Sequence, residues 1–182
     1  MGINPEHLRI YDDLDRHGCM RSPMLVLGRQ VCEIAEYKMP KDFFASYGVT
    51  DYTDLDPDGG MLKLDLNRPL HKIWGNYEAV FNIGTLEHIW DVHVAWSNAL
   101  AAVRVGGVFV TFSPVTGWVK HCIHITGARW IEEFILSNGF SCIFKTIHKM
   151  EKGNILVFAA RRDKTVETYL APQQIYKSGR KK

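Results

Sequence analysis

A chain of 182 residues with 46% apolar and 23% charged side chains has the composition of a globular domain, long enough to bury roughly 70% of its unfolded surface. Its formal net charge of +2 is too small to imply nucleic-acid binding. No apolar run approaches the roughly 18 residues that cross a bilayer, and Cys19, Cys32, Cys122 and Cys142 show no Cys-x-x-Cys spacing. Free, mostly buried thiols in a reducing, cytoplasmic setting are therefore expected, rather than disulfides or zinc.

In chain order, Pro5 followed by Leu8, Ile10, Tyr11 and Leu14 predicts an N-terminal helical segment within residues 1–21, ended at Gly18. The apolar run 24–28, closed by Gly28, reads as the first strand. Residues 30–38 predict a short helix stopped before Pro40. Residues 49–56 alternate β-branched or aromatic side chains with acids and form a second strand, ended by the turn residues Pro57, Asp58, Gly59 and Gly60. Residues 61–65 make a third, short strand that leaves through Leu66, Asn67 and Arg68.

Residues 79–83 give the strongest strand, a continuous apolar run of the kind buried on both faces of a parallel sheet. It passes without a break into the polar turn Asn82, Ile83, Gly84, Thr85, with Glu87, His88 and Asp91 close behind. In such sheets ligands sit just past the carboxyl ends of the strands, so this turn is where polar groups would meet one. The spacing then predicts a helix over 90–103, ended by Gly106 and Gly107, a strand over 108–112 and a His- and Trp-rich loop over 113–125. A helix over 129–137 follows, and the β-rich runs 140–150 and 154–161 make a hairpin about Glu151, Lys152 and Gly153. Alternating strands and helices give one α/β domain over 22–164, with helices on both faces of a mostly parallel sheet. Residues 165–182 are expected to form a basic, flexible tail.

The segment Phe81-Asn82-Ile83-Gly84-Thr85-Leu86-Glu87-His88-Ile89-Trp90-Asp91, followed by Val105-Gly106-Gly107 and a strand, resembles class I S-adenosylmethionine-dependent methyltransferases. The resemblance covers residues 22–162 and is strongest over 62–113. It implies a Rossmann-like, doubly wound sheet of seven strands ending in an antiparallel hairpin, and S-adenosylmethionine as cofactor. It places Gly28 at the tight turn after the first strand and Arg29 where the methionine carboxylate would lie. Asp54 or Asp56 would bind the ribose hydroxyls, with Asp54 preferred. Asp65, Leu66 and Asn67 would meet the adenine ring, and Asn82, Ile83, Gly84 and Glu87 would wall the cofactor cleft. The family's Gly-x-Gly-x-Gly loop is reduced here to Gly28 alone.

Methyl transfer from a sulfonium needs alignment and water exclusion more than covalent help, but a hydroxyl or amine acceptor must also lose a proton. His88, His121 and His124 are the candidate bases, because imidazole titrates nearest neutrality. The His121–His124 spacing alone does not establish a metal site, and Trp74, Trp90 and Trp118 read as packing residues. The leading expectation is methyl transfer to a small-molecule hydroxyl or amine. The competing one is an inactive protein of the same fold, serving in a homo-oligomer or as a subunit of a larger assembly. A dinucleotide oxidoreductase is disfavoured, since no Gly-x-Gly-x-x-Gly follows the first strand.

Overall fold

A computed structural model describes residues 2–118 and 120–170. Its centre is a six-stranded sheet of β1 (Met24–Leu27), β2 (Tyr52–Leu55), β3 (Tyr77–Ile83), β4 (Val103–Gly117), β5 (Phe140–Met150) and β6 (Gly153–Arg162), in the order β2-β1-β3-β4-β6-β5. The first four strands run parallel and β6 is antiparallel to both β4 and β5. Helices α1 (Leu8–Arg16), α2 (Pro40–Ser46), α3 (Val92–Ala102) and α4 (Ala128–Ser137) cover the sheet.

Strand alternation sorts the apolar side chains into two cores. Leu25, Leu27, Val80, Phe109, Leu156 and Phe158 face α3 and α4, meeting Trp96, Ile131 and Phe134. Met24, Val26, Phe81, Val110 and Phe112 face α1 and α2, meeting Tyr11, Leu14, Phe43 and Phe44. The N-terminal helix is thus part of one core. Its Tyr11 ring stacks on Phe112 at 5.2 Å, and emptying such a buried aromatic position costs about 3–5 kcal/mol.

Four expectations need correction. Seven strands were expected and six are present among the described residues: residues 61–65 make only a single parallel bridge, between Leu62 and Leu55. An acid of the preceding strand takes a donor a ladder would use, Asp54 Oδ1 accepting from Met61 N at 2.6 Å. Residues 30–38 form no helix. Backbone bonds from Ile3 N to Val31 O (2.9 Å) and from Glu33 N to Ile3 O (2.7 Å) hold them extended beside the N-terminus. The helix starts instead at Pro40, whose missing N–H costs nothing in a first turn.

The third correction is that residues 113–117, expected in a loop, continue β4 and pair with β6 as far as Gly117 opposite Gly153. The fourth concerns the tail. Residues 165–170 lie against the domain, with Tyr169 in the core and Leu170 N donating to Asn138 Oδ1 at 2.8 Å. The rest of the expected tail, from residue 171 onward, lies outside the described residues. Of the four free thiols only Cys19 is buried. Among the described residues no helix is long and apolar enough to cross a membrane.

Candidate active site

The carboxyl ends of β1, β2 and β3 converge on one cleft of about 350 Å³. Gly28, Arg29, Gln30, Asp56, Asp65, Leu66, Asn67, Gly84, Thr85, His88 and Ile89 line it. Gly28 turns the chain at φ +74°, and a Cβ there would come within 2.4 Å of Thr85 Oγ1. Glycine is required both for the left-handed backbone and for the close approach of the β3 turn. Thr85 Oγ1 donates to Leu27 O at 2.7 Å, which ties the two turns together.

Asp56 leaves the end of β2 into this cleft. Burial alone would raise its pKa, but N–H donors from Asp58, Arg29 and Gly59 outweigh that and hold the carboxylate below its usual range. Asp65 is likewise held low, first by Asn67 N and then by the Asn67 side-chain amide, both at 2.9 Å. Both acids therefore stay ionised at neutral pH. Leu66 is buried and, with Ile89, supplies the apolar part of the wall. Arg29 is exposed and its guanidinium lies beside Gly59, so it borders the cleft without filling it.

The turn after β3 is held by Asn82, whose Oδ1 accepts from Thr85 N (3.0 Å) and Leu86 N (3.1 Å). Its Nδ2 donates to Thr111 Oγ1 at 2.8 Å and to Ser113 Oγ at 3.3 Å. Asn82 is fully buried and spent on these bonds, and Ile83 points into the α1–α2 core. Asp54 bonds the backbone of Met61 instead. Asp54, Asn82 and Ile83 do not line the cleft, and the acid that does is Asp56.

A second cavity, of about 950 Å³, lies between the N-terminal segment, the start of the β4–α4 connection and the tip of the β5–β6 hairpin. Asn4, Pro5, Glu33, Trp118, His121, Met150 and Lys152 are among its lining residues. His88 borders the first cleft and His121 the second, and their rings meet edge to face at 4.9 Å. Burial lowers the pKa of each, and a basic group nearby lowers it further, the His121 ring for His88 and Lys152 for His121. Both imidazoles are therefore neutral at pH 7 and able to accept a proton.

His124 stands apart, its Nε2 within 3.2 Å of Trp90 O and its N–H donating to Glu87 O at 3.0 Å. Glu87 lies behind the wall, 5% exposed, with neither carboxyl oxygen partnered among the described residues and its pKa pushed up to about 7 by burial. Among the described residues no cluster of three His, Cys, Asp or Glu side chains is arranged to hold a metal ion.

Gln30 and Thr85 also line the first cleft, and the bond between them was not foreseen. Their contact spans 55 positions of sequence, and the sole local signal was a polar residue two places after Gly28.

No protein-family model matches the chain, and none of the curated proteins does. Among solved structures it is similar to the 1,6-didemethyltoxoflavin-N1-methyltransferase of Burkholderia thailandensis, solved with 1,6-didemethyltoxoflavin and S-adenosylhomocysteine bound. Identity is 10%, covering 88% of this chain and 79% of that one, with a TM-score of 0.62. It is also similar to MccD protein, at 10% identity, covering 89% of this chain and 100% of that one, with a TM-score of 0.63. A third is an S-adenosylmethionine-dependent methyltransferase from Mesorhizobium loti, at 14% identity, covering 76% and 90%, with a TM-score of 0.55. At these identities the likeness is one of fold.

Proposed function

We propose that this chain, which has the fold of class I S-adenosylmethionine-dependent methyltransferases, transfers a methyl group from S-adenosylmethionine to a hydroxyl or amine of a small molecule. The observation that carries the reading is the His88–His121 contact, because it joins the two cavities at one point.

The residues of the smaller cleft fit the cofactor by their chemistry. Two ionised carboxylates, Asp56 and Asp65, present acceptors to a ligand rich in donors: ribose hydroxyls and an adenine amino group. Asp56 would take the ribose, Asp65 with Asn67 the adenine edge, and Leu66 the ring face. Arg29, exposed at the rim, would meet the carboxylate of the amino-acid end. When bound, S-adenosylmethionine supplies a methyl group already activated on a sulfonium.

The chain's own part is to hold the acceptor and receive its proton. The larger cavity accommodates a small molecule against Trp118 and Met150, with His121 at its edge. Neutral His121 accepts the hydroxyl or amine proton as the acceptor's lone pair is committed, with the ring of neutral His88 packed against it. His124, fixed to Trp90 O, anchors the connection between β4 and α4.

Calorimetric titration tests the reading. Micromolar binding of S-adenosylmethionine and of S-adenosylhomocysteine is expected. Absence of binding by both at millimolar concentration overturns it and returns the chain to a non-catalytic role in a larger assembly.

A further inference from the structure

Gln30 directly follows Arg29 after β1, where a long polar side chain would ordinarily reach solvent. It is 7% exposed instead. Its Nε2 donates to Leu27 O at 2.9 Å and to Thr85 Oγ1 at 3.2 Å, while Thr85 Oγ1 passes its own proton to Leu27 O at 2.7 Å. That arrangement fixes which way round the amide lies. Turned over, Oε1 would face the Leu27 carbonyl oxygen, and two acceptors would be pressed together.

Oε1 is thereby aimed the other way. It is buried, has no hydrogen-bond partner among the described residues, and belongs to a side chain that lines the cleft between Gly28 and Thr85. A buried carbonyl oxygen without a donor is costly. The donor it fits comes from a ligand, and a cationic donor fits best, because the two carboxylates that line the cleft, Asp56 and Asp65, outnumber Arg29 there.

Resting on the methyltransferase reading above, we propose that Gln30 Oε1 is the acceptor for the α-ammonium group of the cofactor's amino-acid end. One side chain, clamped by Thr85, thus does what a loop of several glycines would do with backbone groups. Gln30 makes the cleft selective for adenosyl ligands that carry that ammonium.

Calorimetric titration with two ligands separates this inference from the reading beneath it: S-adenosylhomocysteine, and its analogue with hydrogen in place of the α-amino group. The native protein is expected to bind the amino form at least tenfold more tightly. Gln30→Met, similar in length and apolar, should bring the two affinities within about twofold of each other. Thr85→Val, which removes the clamp but keeps Gln30, should reduce the preference by an intermediate factor and serves if Gln30→Met does not fold. A preference intact in Gln30→Met, or unchanged in Thr85→Val, overturns the role of Gln30 while leaving cofactor binding in place. Failure of the native protein to bind either ligand overturns both.

Discussion

The two sides of the site are built on opposite terms. On the side of β1, β2 and β3, nearly every polar group of the turns is paired: Asn82 makes four hydrogen bonds, Asp56 accepts three N–H groups and Thr85 bridges two strand ends. On the side of the N-terminal segment and the β4–α4 connection, Asn4 Oδ1, both nitrogens of His7, Trp118 Nε1 and both oxygens of Glu87 are buried without partners among the described residues. The paired side is a rigid frame whose failures will be geometric. The unpaired side holds groups whose charge state follows pH, so its failures will depend on solution conditions.

The largest effect should come from the contact between the two sides. In a methyl-transfer assay across hydroxyl and amine acceptors, His121→Ala is expected to lower the rate about 10²- to 10⁴-fold without changing cofactor affinity. An unchanged rate would remove His121 from the chemistry. On the paired side, Asn82→Ala strands Thr85 N and Leu86 N, and should cost about 3 kcal/mol in a urea melt. A loss below about 1 kcal/mol would mean that the turn holds itself.

Gly28→Ala forces a Cβ onto Thr85 at a left-handed backbone position, for about 2 kcal/mol and a loss of cofactor affinity of tenfold or more. Wild-type melting and affinity would show that the two turns do not meet as described.

The smallest effects are the pH-dependent ones on the unpaired side. His7, packed between Phe112 and His148, has its pKa lowered to about 4, first by burial and then by His148. Its folded pKa lies below the ordinary 6.5, so its contribution is present above pH 6.5 and lost as pH falls toward 4. Glu87 runs the other way. Its folded pKa of about 7 lies above the ordinary 4.5, so its contribution is present below pH 4.5 and lost as pH rises through 7. Glu87→Gln should therefore gain several degrees in melting temperature relative to wild type on going from pH 4.5 to pH 8. His7→Phe should gain on wild type as pH drops from 7 to 4. Differences that do not vary with pH would contradict this account of the unpaired side.

What could be read in the sequence divides along similar lines. The β3 run, its turn, α3 and the closing hairpin were legible because each is signalled by neighbours: an apolar run, a glycine, a period. The strand expected at residues 61–65 carried the same signals, yet Asp54 captures the Met61 N–H at its start, which depends on where β2 stops. That stopping point also decides the cleft acid. Asp54 is still level with the strand, whereas Asp56 lies one residue past Leu55 and reaches the cleft. The clamp between Gln30 and Thr85 was out of reach, because a buried amide held by a hydroxyl 55 positions away leaves no local pattern.

The measurement that bears most directly on the central claim is a crystal structure of the protein soaked with S-adenosylhomocysteine. The account predicts the nucleoside in the cleft over Gly28 and Gly84, ribose hydroxyls on Asp56 rather than Asp54, the base against Leu66, and the sulfur end toward His88. Ligand density in the larger cavity alone, or none in the cleft at saturating concentration, would contradict it.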